Sequence, residues 1–361
     1  MRIGKSILLT IGTILLVLFS FSNVILADEE EEVIEFSDEH LEDVIRKAID
    51  KHSGEIYKTD VEALTSLVAQ NENITRLDGI ENLESLRELN LAGNTIKELD
   101  PLKDLENLRV LNLSENQIED VKPLDTLKEL ERLYLSRNQI SSVNALEELV
   151  ALQILQIDNN NISSIVPLGK LNKLTNLWID YNEIESIADL KNLPELEVLR
   201  VNNNDISDVS PLSSLNNLKV LHLSNNPIGF VKPLNGLSEL EVLLLDNGRV
   251  RELVDLQSLT SLKILSLKEN NIDDITHLRT LSNLEELYLS GNNVKDFTPT
   301  ESYYNTLKAK DFTLDGKELS SEGTDSKDES ESNNLLYILV GIAIIQAVIV
   351  TIVLMKRKRA A

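Results

Sequence analysis

The phrase Leu-x-x-Leu-x-Leu-x-x-Asn-x-Ile recurs through the middle of this chain at a fixed step of 22 residues. Its first full copy begins at Leu86. The Asn position is kept at Asn94, Asn116, Asn138, Asn160, Asn182, Asn204, Asn226, Asn270 and Asn292, and Gly248 interrupts it once. A constant period of this length indicates a solenoid in which each unit stacks on the one before it.

The residue types in the phrase determine what each unit forms. Leu-x-Leu alternation makes a short strand with one buried face. Strands of successive units pair in parallel about 4.8 Å apart, so about ten units make a rod on the order of 50 Å long. The Asn after each strand turns inward, where its amide serves backbone groups that the bend leaves unpaired. The predicted fold is an α/β solenoid, a curved leucine-rich repeat array over residues 84–297 with a parallel sheet on its concave side.

Composition limits the class of partner. The chain has 361 residues, of which 42% are hydrophobic, and a formal net charge of −25. A surface of this charge repels phosphates, which argues against nucleic acid as a partner. The sequence contains no cysteine, which excludes disulfides and thiolate metal sites.

Residues 1–27 have the features of a secretory signal peptide. Basic residues precede an apolar run from Ile7 to Phe19, and a short segment then ends at Ala27. Cleavage after Ala27 is the preferred interpretation, with cleavage after Ser22 and an uncleaved anchor as alternatives. All three predict export of the chain.

The segment between this signal and the first full repeat, residues 28–83, is predicted to form a cap. An acidic leader is followed by helical periodicity from Leu41 to Ile49. Residues 59–62 form a capping box, which predicts a second helix running through Leu64 and Leu67. The same two leucines lie 22 residues before the first two leucines of the array, so a degenerate first repeat merges into this helical cap. Stacked repeats need a cap over the exposed end of their core.

Two stretches of the cap carry a family resemblance. They are Phe36-Ser37-Asp38-Glu39-His40-Leu41 and Ile74-Thr75-Arg76-Leu77-Asp78-Gly79-Ile80-Glu81-Asn82-Leu83. With the repeats that follow, they make residues 33–297 resemble the internalin family of bacterial surface proteins. The resemblance implies strands on the concave side of the solenoid and 3₁₀ or irregular turns on its convex side. It also implies that the concave face binds a protein ligand and that the chain is not an enzyme.

The sequence departs from the family pattern in two respects. Internalins commonly carry an immunoglobulin-like module after the repeats, whereas here residues 298–319 are predicted to form only a C-terminal cap. Many internalins also carry the sortase signal Leu-Pro-x-Thr-Gly, which does not occur in this sequence. Covalent attachment to a cell wall is therefore not predicted.

The remaining residues predict a membrane anchor. Residues 320–334 are rich in Ser, Glu and Asp, a composition typical of a disordered stalk. Residues 335–355 contain no charge and suit the roughly 20 residues that cross a bilayer. Residues 356–361 begin with Lys-Arg-Lys-Arg, and positive residues stay on the cytoplasmic side. We therefore expect a single-pass cell-membrane protein with a C-terminal transmembrane helix, extracellular repeats and a cytoplasmic C-terminus.

Motifs for catalysis or cofactor binding are not apparent in the sequence. The four histidines lie far apart and lack metal-ligand spacing. His222 with Asp180 is the nearest approach to an acid–base pair, and no nucleophile accompanies it in the pattern. We therefore predict no catalysis, no metal, no cofactor and no small-molecule substrate.

One row of strand positions between the buried leucines is predicted to lie on the concave face. This row, the central column, consists of Asn90, Asn112, Tyr134, Gln156, Trp178, Arg200, His222, Leu244, Ser266 and Tyr288. It places the only tryptophan of the chain beside Arg200, where a cation–π pair can form. Trp, Tyr and Arg are the residue types that dominate interface hot spots.

These positions predict a ligand-binding site on the concave face. Its residues are Tyr134, Gln156, Trp178, Asp180, Tyr181, Arg200, His222, Leu244 and Tyr288. The alternative interpretation is that aromatic residues at these positions only pack on a pleated surface.

Two further features concern charge and the Asn ladder. Asp158 and Asp180 fall on adjacent strands, where like charges repel unless something compensates. A bound Ca²⁺, the guanidinium of Arg200 and hydration are the explanations that the sequence leaves open. Gly248 removes one ladder asparagine at a cost on the order of 1 kcal/mol, and the adjacent Asn247 is a candidate to replace it.

Two functions fit these observations. By resemblance, the leading hypothesis is adhesion or host interaction through a protein ligand. The second is a scaffold or sensor subunit of a bacterial cell-envelope membrane complex, which a short stalk favours because it holds the array near the membrane. A third, an intracellular regulator of phosphatases built from similar repeats, is opposed by the predicted signal and anchor.

Overall fold

The computed structural model describes residues 32–315, in which twelve parallel strands form one sheet in sequence order. The strands are β1 (Ser66–Val68), β2 (Glu88–Asn90), β3 (Val110–Asn112), β4 (Arg132–Tyr134), β5 (Ile154–Gln156), β6 (Asn176–Trp178), β7 (Val198–Arg200), β8 (Val220–His222), β9 (Val242–Leu244), β10 (Ile264–Ser266), β11 (Glu286–Tyr288) and β12 (Ala309–Lys310). Strands β2 to β11 each contain the short alternating segment of one full repeat, so the predicted solenoid with a parallel sheet is confirmed.

Neighbouring strands pair in register, so equivalent positions of successive repeats lie side by side. Leu177 pairs with Leu155 on one side and Leu199 on the other. All three leucines are fully buried. Because the step between repeats is constant, each sequence position becomes one straight column of side chains on the molecule.

The wall opposite the sheet consists of short 3₁₀ helices. They are Ile80–Asn82, Asp100–Leu102, Lys122–Thr126, Asn144–Glu148, Val166–Lys170, Ala188–Asn192, Ser210–Ser214, Lys232–Leu234, Val254–Ser258, Thr276–Thr280, Thr298–Thr300 and Tyr304–Thr306. Within the array each buries one apolar residue or two, as the helix containing Leu168 does. Together with the strand leucines, these residues make one continuous apolar core, which single repeats are too small to form alone.

The asparagine ladder joins each repeat to the one before it. The amide nitrogen of Asn160 donates to the carbonyl oxygens of Leu135 at 3.0 Å and Ile157 at 3.1 Å. Its Oδ1 atom accepts the N–H of Ile140 at 3.0 Å. The same three bonds recur at the other ladder asparagines, Asn94 and Asn292 at the two ends included.

The ladder is interrupted at Gly248. In the other repeats the equivalent N–H donates to Oδ1 of the next ladder asparagine. The N–H of Ile228 donates instead to the carbonyl of Asn226 at 2.7 Å. The expectation that Asn247 replaces the missing amide is wrong, because its Nδ2 donates to Oδ1 of Asn225 on the exposed surface at 2.8 Å. Asn247 has a positive φ of 51° and lies outside the buried ladder.

The N-terminal end of the core is covered by helix α1, Glu39–Ala48. Asp38 begins this helix, since its carboxylate accepts the N–H groups of His40 at 3.0 Å and Leu41 at 3.3 Å. The same carboxylate accepts the N–H of Thr75 at 2.8 Å and so ties the helix to the array. Burial raises the pKa of Asp38, but these hydrogen bonds outweigh burial and lower the pKa below its usual value.

A second helix, α2, is a single turn at Lys58–Val61. The carboxylate of Asp60 accepts the N–H of Tyr57 at 2.8 Å at the start of this turn. The prediction that the helix continues through Leu64 and Leu67 is wrong. Leu67 is buried in β1 and pairs with β2, and this backbone pairing outweighs the local capping signal.

The C-terminal end of the sheet is closed by a carboxylate and an aromatic stack. Asp311 accepts the N–H groups of Leu289 at 2.7 Å and Ser290 at 3.0 Å, where a further repeat would supply carbonyl oxygens. The rings of Phe297 and Phe312 stack with centroids 4.9 Å apart, and both are buried. These contacts cover the last turn of the core.

The predicted signal peptide (1–27), stalk (320–334), transmembrane helix (335–355) and basic tail (356–361) lie outside the described residues. Among residues 32–315, none of the helices is both long enough and apolar enough to span a bilayer. Membrane anchoring therefore stays a prediction from the sequence.

Replacing Asn160 by alanine is expected to destabilise the array by about 2–4 kcal/mol, because the buried N–H of Ile140 loses its acceptor and two carbonyls lose a donor. Urea denaturation measures this change in the free energy of unfolding. The control is Asn161→Ala, which truncates the next, exposed side chain and should change stability by less than about 0.5 kcal/mol. Equal effects of the two substitutions would contradict the structural role of the ladder.

Candidate binding site on the exposed face of the sheet

The central column runs along the exposed face of the sheet, and its middle section gathers five of the predicted residues. In-register pairing places Trp178, Arg200 and His222 on the adjacent strands β6, β7 and β8. Tyr134 and Gln156 precede them on β4 and β5. At about 4.8 Å per strand, these five positions span roughly 19 Å.

Arg200 is held by two neighbours at the centre of this section. Its Nε and Nη2 atoms each lie 2.8 Å from Oδ2 of Asp180. Its guanidinium carbon lies 5.8 Å from the ring centroid of Trp178, which confirms the predicted cation–π pair. The Arg200 side chain is nevertheless 29% exposed, so a ligand can still reach it.

Asp180 lies beneath this pair and is almost fully buried. Burial raises its pKa to about 6, against the opposing effects of the positive charge of Arg200 and the hydrogen bond from the N–H of Asn202. That N–H donates to Oδ1 at 2.7 Å. At neutral pH Asp180 is therefore mainly ionised and holds the guanidinium of Arg200 in a fixed orientation.

Asp158 and Asp180 each have partners among the neighbouring side chains. Asp158 accepts hydrogen bonds from Ser136 Oγ at 2.7 Å and from the amide nitrogens of Gln156 at 3.0 Å and Asn159 at 2.9 Å. Asp180 pairs with Arg200. Across residues 32–315, side chains of His, Cys, Asp and Glu form no group of three or more that could hold a metal. Of the three explanations left open by the sequence, the structure supports Arg200.

His222 and Leu244 lie in the column but beneath its surface, with exposed fractions of 7% and 4%. The expectation that the whole column is presented to a ligand is therefore wrong for these two residues and for Ser266, which is fully buried. Side chains only about 4.8 Å apart shield one another from solvent. Burial, followed by the positive charge of Arg200, lowers the pKa of His222 to about 3, so the imidazole is neutral at physiological pH.

Tyr288 is separated from the central group by four strands. The ammonium of Lys268 lies 5.7 Å from the Tyr288 ring centroid and 3.8 Å from Oδ2 of Asp246. Tyr288 thus belongs to a second cation–aromatic group that the sequence reading missed. The sequence contained the information needed to predict this group, because Lys268 follows β10 and Tyr288 lies in the adjacent strand β11.

Tyr181 is half exposed beside the central group, at 51% of its surface. Its φ of 53° lies in the left-handed region, which is unfavourable for a bulky residue. The equivalent position is occupied by Gly93, Glu115, Arg137, Asn159, Asn203, Asn225, Asn247, Glu269 and Gly291, all with positive φ. An aromatic residue at this position carries a conformational cost that the fold itself does not require.

Trp178 has an unsatisfied donor. Its indole N–H is buried, and within the described residues no acceptor lies in hydrogen-bond reach of it. A buried donor without a partner costs about 1–3 kcal/mol. The centre of the site therefore contains a group that gains free energy if a ligand supplies an acceptor.

Replacing His222 by glutamine is expected to reduce the loss of stability on acidification. An unfolded histidine binds a proton below pH about 6.5, whereas His222 in the folded chain, next to Arg200, remains neutral down to about pH 3. The unfolded state therefore binds more protons in this window, and stability falls as pH falls. Between pH 7 and pH 5 this contribution is about 2 kcal/mol.

The measurement is urea denaturation of the parent and His222→Gln at both pH values. The pH-dependent loss of unfolding free energy should be smaller in the variant, since Asp180 and Arg200 are unchanged in both proteins. The same loss in both would show that His222 titrates normally.

Comparisons with known proteins agree with this architecture. The family profile described as "Leucine-rich repeat region" matches residues 85–228, and "Leucine Rich repeats (2 copies)" matches residues 260–301. No curated protein sequence matches the chain significantly.

Several solved structures are similar along most of their length. An internalin (inlF) from Listeria monocytogenes is 27% identical, with 80% of this chain and 99% of that chain covered and a TM-score of 0.68. An internalin C2 (inlC2) from the same organism is 37% identical, with 58% of this chain and 94% of that chain covered and a TM-score of 0.57. A chain from an octameric complex of Latrophilin 3, Unc5D and FLRT2 (LRR) is 27% identical, with 71% and 86% covered and a TM-score of 0.59. With this repeat architecture and this identity to internalin C2, the chain belongs to the internalin-like leucine-rich repeat proteins.

Proposed function

We propose that this protein binds a protein ligand through the exposed face of its sheet, and that Trp178 and Arg200 form the centre of the interface. The observation that carries the proposal is the arrangement of Arg200, which is paired with Asp180 at 2.8 Å, stacked near Trp178 and still partly exposed. Aromatic and Arg side chains in fixed positions are typical hot-spot residues. A side chain already ordered before binding loses less entropy on association.

The unsatisfied indole N–H of Trp178 supports the same proposal. If ligand binding reorients the ring so that this donor becomes accessible, a carbonyl or carboxylate oxygen of the ligand can accept it. Tyr134, two strands from Trp178 in the same column, and Tyr181, three residues after Trp178 and with half of its surface exposed, offer further aromatic area. The charged and apolar parts of the site favour a protein surface over a small molecule.

The similar structures support binding as the class of function. Leucine-rich repeat proteins serve as binding scaffolds for protein ligands, and one of the similar chains comes from an octameric complex with other proteins. Binding without catalysis is consistent with a site whose ionisable groups, Asp180 and His222, are buried beneath their neighbours.

We infer further that the repeats are held outside the cell by a C-terminal membrane anchor and take part in adhesion or host interaction. The support is the sequence pattern of residues 1–27 and 335–361 together with family membership. A scaffold or sensor subunit of a cell-envelope complex is the alternative, favoured by the short segment between the array and the predicted span. The two functions differ in the source of the ligand.

Trp178→Gln is expected to weaken ligand binding by a factor of about 30 or more, because a hot-spot aromatic contributes about 2 kcal/mol or more. Glutamine occupies the equivalent position at Gln156, so the fold should tolerate it. Asp180→Ala/Arg200→Ala should have a similar effect, and it removes both partners of the pair so that no buried charge is left alone. The matched control is Tyr288→Gln, which removes an aromatic from the same column four strands from Arg200.

The ligand is first captured with soluble residues 28–319, which include the complete described core and both of its caps. The soluble chain is the bait, and the capture is run from membrane extracts of the producing cell and, separately, from surface proteins of candidate hosts. Affinity for the captured protein is then measured for each variant. A host ligand favours adhesion, and a ligand from the producer's own envelope favours the complex subunit. Equal capture by Trp178→Gln and the parent would show that the site lies elsewhere.

A further inference from the structure

The large apolar side chain of Phe230 is 63% exposed. It lies four residues after the ladder position Asn226, between the end of the strand and the next 3₁₀ helix. Equivalent positions in the other repeats are occupied by Glu98, Asp120, Ser142, Ser164, Ser186, Asp208, Glu252, Asp274 and Asp296. Among the full repeats, Phe230 is thus the single departure from a column of Asp, Glu and Ser.

The polar residues in this column have a structural role that Phe230 lacks. Asp208 accepts the N–H of Ser210 at 2.8 Å and begins the 3₁₀ helix of its repeat. Asp274 makes the same bond at 2.8 Å to Thr276. A phenyl ring cannot accept this N–H, so the stability of the repeat gives no reason for phenylalanine here. An exposed ring instead gains free energy when a partner covers it.

The same repeat departs from the others at two further positions. Asp205 and Arg249 each donate a backbone N–H to the preceding repeat, at 2.9 Å and 2.8 Å. Pro227 stands between them in the same column and has no N–H to donate. Gly229 stands where the adjacent repeats carry Ser207 and Arg251. Three substitutions with no structural benefit therefore fall within four residues.

Two arginines of the next repeat lie beside these positions. Arg249 occupies the column of Pro227, and Arg251 occupies the column of Gly229. A Cβ atom added to Gly229 would lie 3.7 Å from Cβ of Arg249, so the two repeats are in contact at this point and Gly229 places no side chain between them.

Both arginines are exposed, and within residues 32–315 neither is paired with a carboxylate. By contrast, the cations Lys219 and Lys263 on other columns are paired with glutamates one repeat away, at 2.9 Å and 2.8 Å. Two arginines without a carboxylate partner among residues 32–315 thus lie in the repeat next to that of the exposed Phe230 ring.

We propose that Phe230, Arg249 and Arg251 form a docking site for an acidic peptide segment of another protein. An apolar side chain of the peptide covers the Phe230 ring, and carboxylates on either side of it pair with the two guanidinium groups. Charge complementarity selects a segment with carboxylates at these two points, because neither guanidinium group has a carboxylate partner among residues 32–315. The acidic residues around the site repel further negative charge and so limit the segment to a few carboxylates. Arg also matches carboxylate geometry with two parallel hydrogen bonds. The site shares no residue with the central column and does not depend on the proposed function.

The first test is selection of random twelve-residue peptides displayed on phage against the full-length chain in detergent micelles. Peptides enriched on the parent should contain Asp or Glu around an apolar residue and should not be enriched on Phe230→Ser. Serine occupies the equivalent position at Ser142, Ser164 and Ser186, so this variant should fold, as thermal unfolding would verify. Enriched peptides without acidic residues, or equal enrichment on the variant, would overturn the proposal.

The second test measures the affinity of one selected peptide. Arg249→Gln/Arg251→Gln should weaken binding roughly tenfold or more, and raising the salt concentration should weaken binding to the parent. The matched control is Lys97→Gln/Lys295→Gln, which removes two exposed cations from the column of Arg251 without touching the site. An equal loss in the control would show that general charge attraction is being measured.

Two other occupants are outcomes of the same experiment. A synthetic peptide of residues 317–332 tests the acidic segment of this chain itself. If it binds as tightly as the selected peptides and its binding is lost in Phe230→Ser, the site is occupied from within the chain and the proposal of a separate partner is overturned. Self-association of the parent that disappears in Phe230→Ser would identify a second copy as the occupant, with the same consequence.

Discussion

The bonds of the ladder asparagines are the constraint on which the rest of the structure depends. Asn160 holds a carbonyl of its own repeat, a carbonyl of the preceding repeat and the N–H of Ile140 at the same time. Because these groups are buried, a shift of one repeat against the next would leave donors and acceptors without partners. The strands therefore remain in register, and the columns of leucines beneath them and of polar side chains above them follow from that register.

Much of the fold follows from this constraint and was predictable from the sequence. The period alone predicts one strand per repeat, the buried leucines and the neighbours within the central column, including Trp178 beside Arg200. The two predictions of the fold that failed, the length of helix α2 and the role of Asn247, failed because a second interaction outweighed the local sequence signal. The capping signal near Thr59 is local, whereas the pairing of Leu67 with β2 depends on a strand more than twenty residues away. Asn247 is adjacent to the gap at Gly248 in sequence, but its left-handed backbone places it outside the ladder.

The candidate site was predictable in position and much less so in its energetics. Strand register identifies which residues are neighbours, but burial decides their roles. Asp180 and His222 have shifted pKa values because they are covered, and Leu244 is removed from the surface for the same reason. The sequence left Arg200, hydration and a bound cation as explanations for two adjacent aspartates, and the distance of 2.8 Å from Asp180 to Arg200 supports the first.

A repeat protein contains its own reference for what the fold requires, since each position is represented many times in one chain. Polar residues and Gly occupy the left-handed position, and Asp, Glu or Ser precede the 3₁₀ helices, so a large aromatic residue at either position departs from what the other repeats use. Tyr181 and Phe230 are such residues, and each lies next to exposed arginine, the first near Arg200 and the second near Arg249 and Arg251. Their separation on different columns means that one face can be occupied while the other remains open. Because the two proposed sites share no residue, substitutions in one are expected to leave binding at the other unchanged.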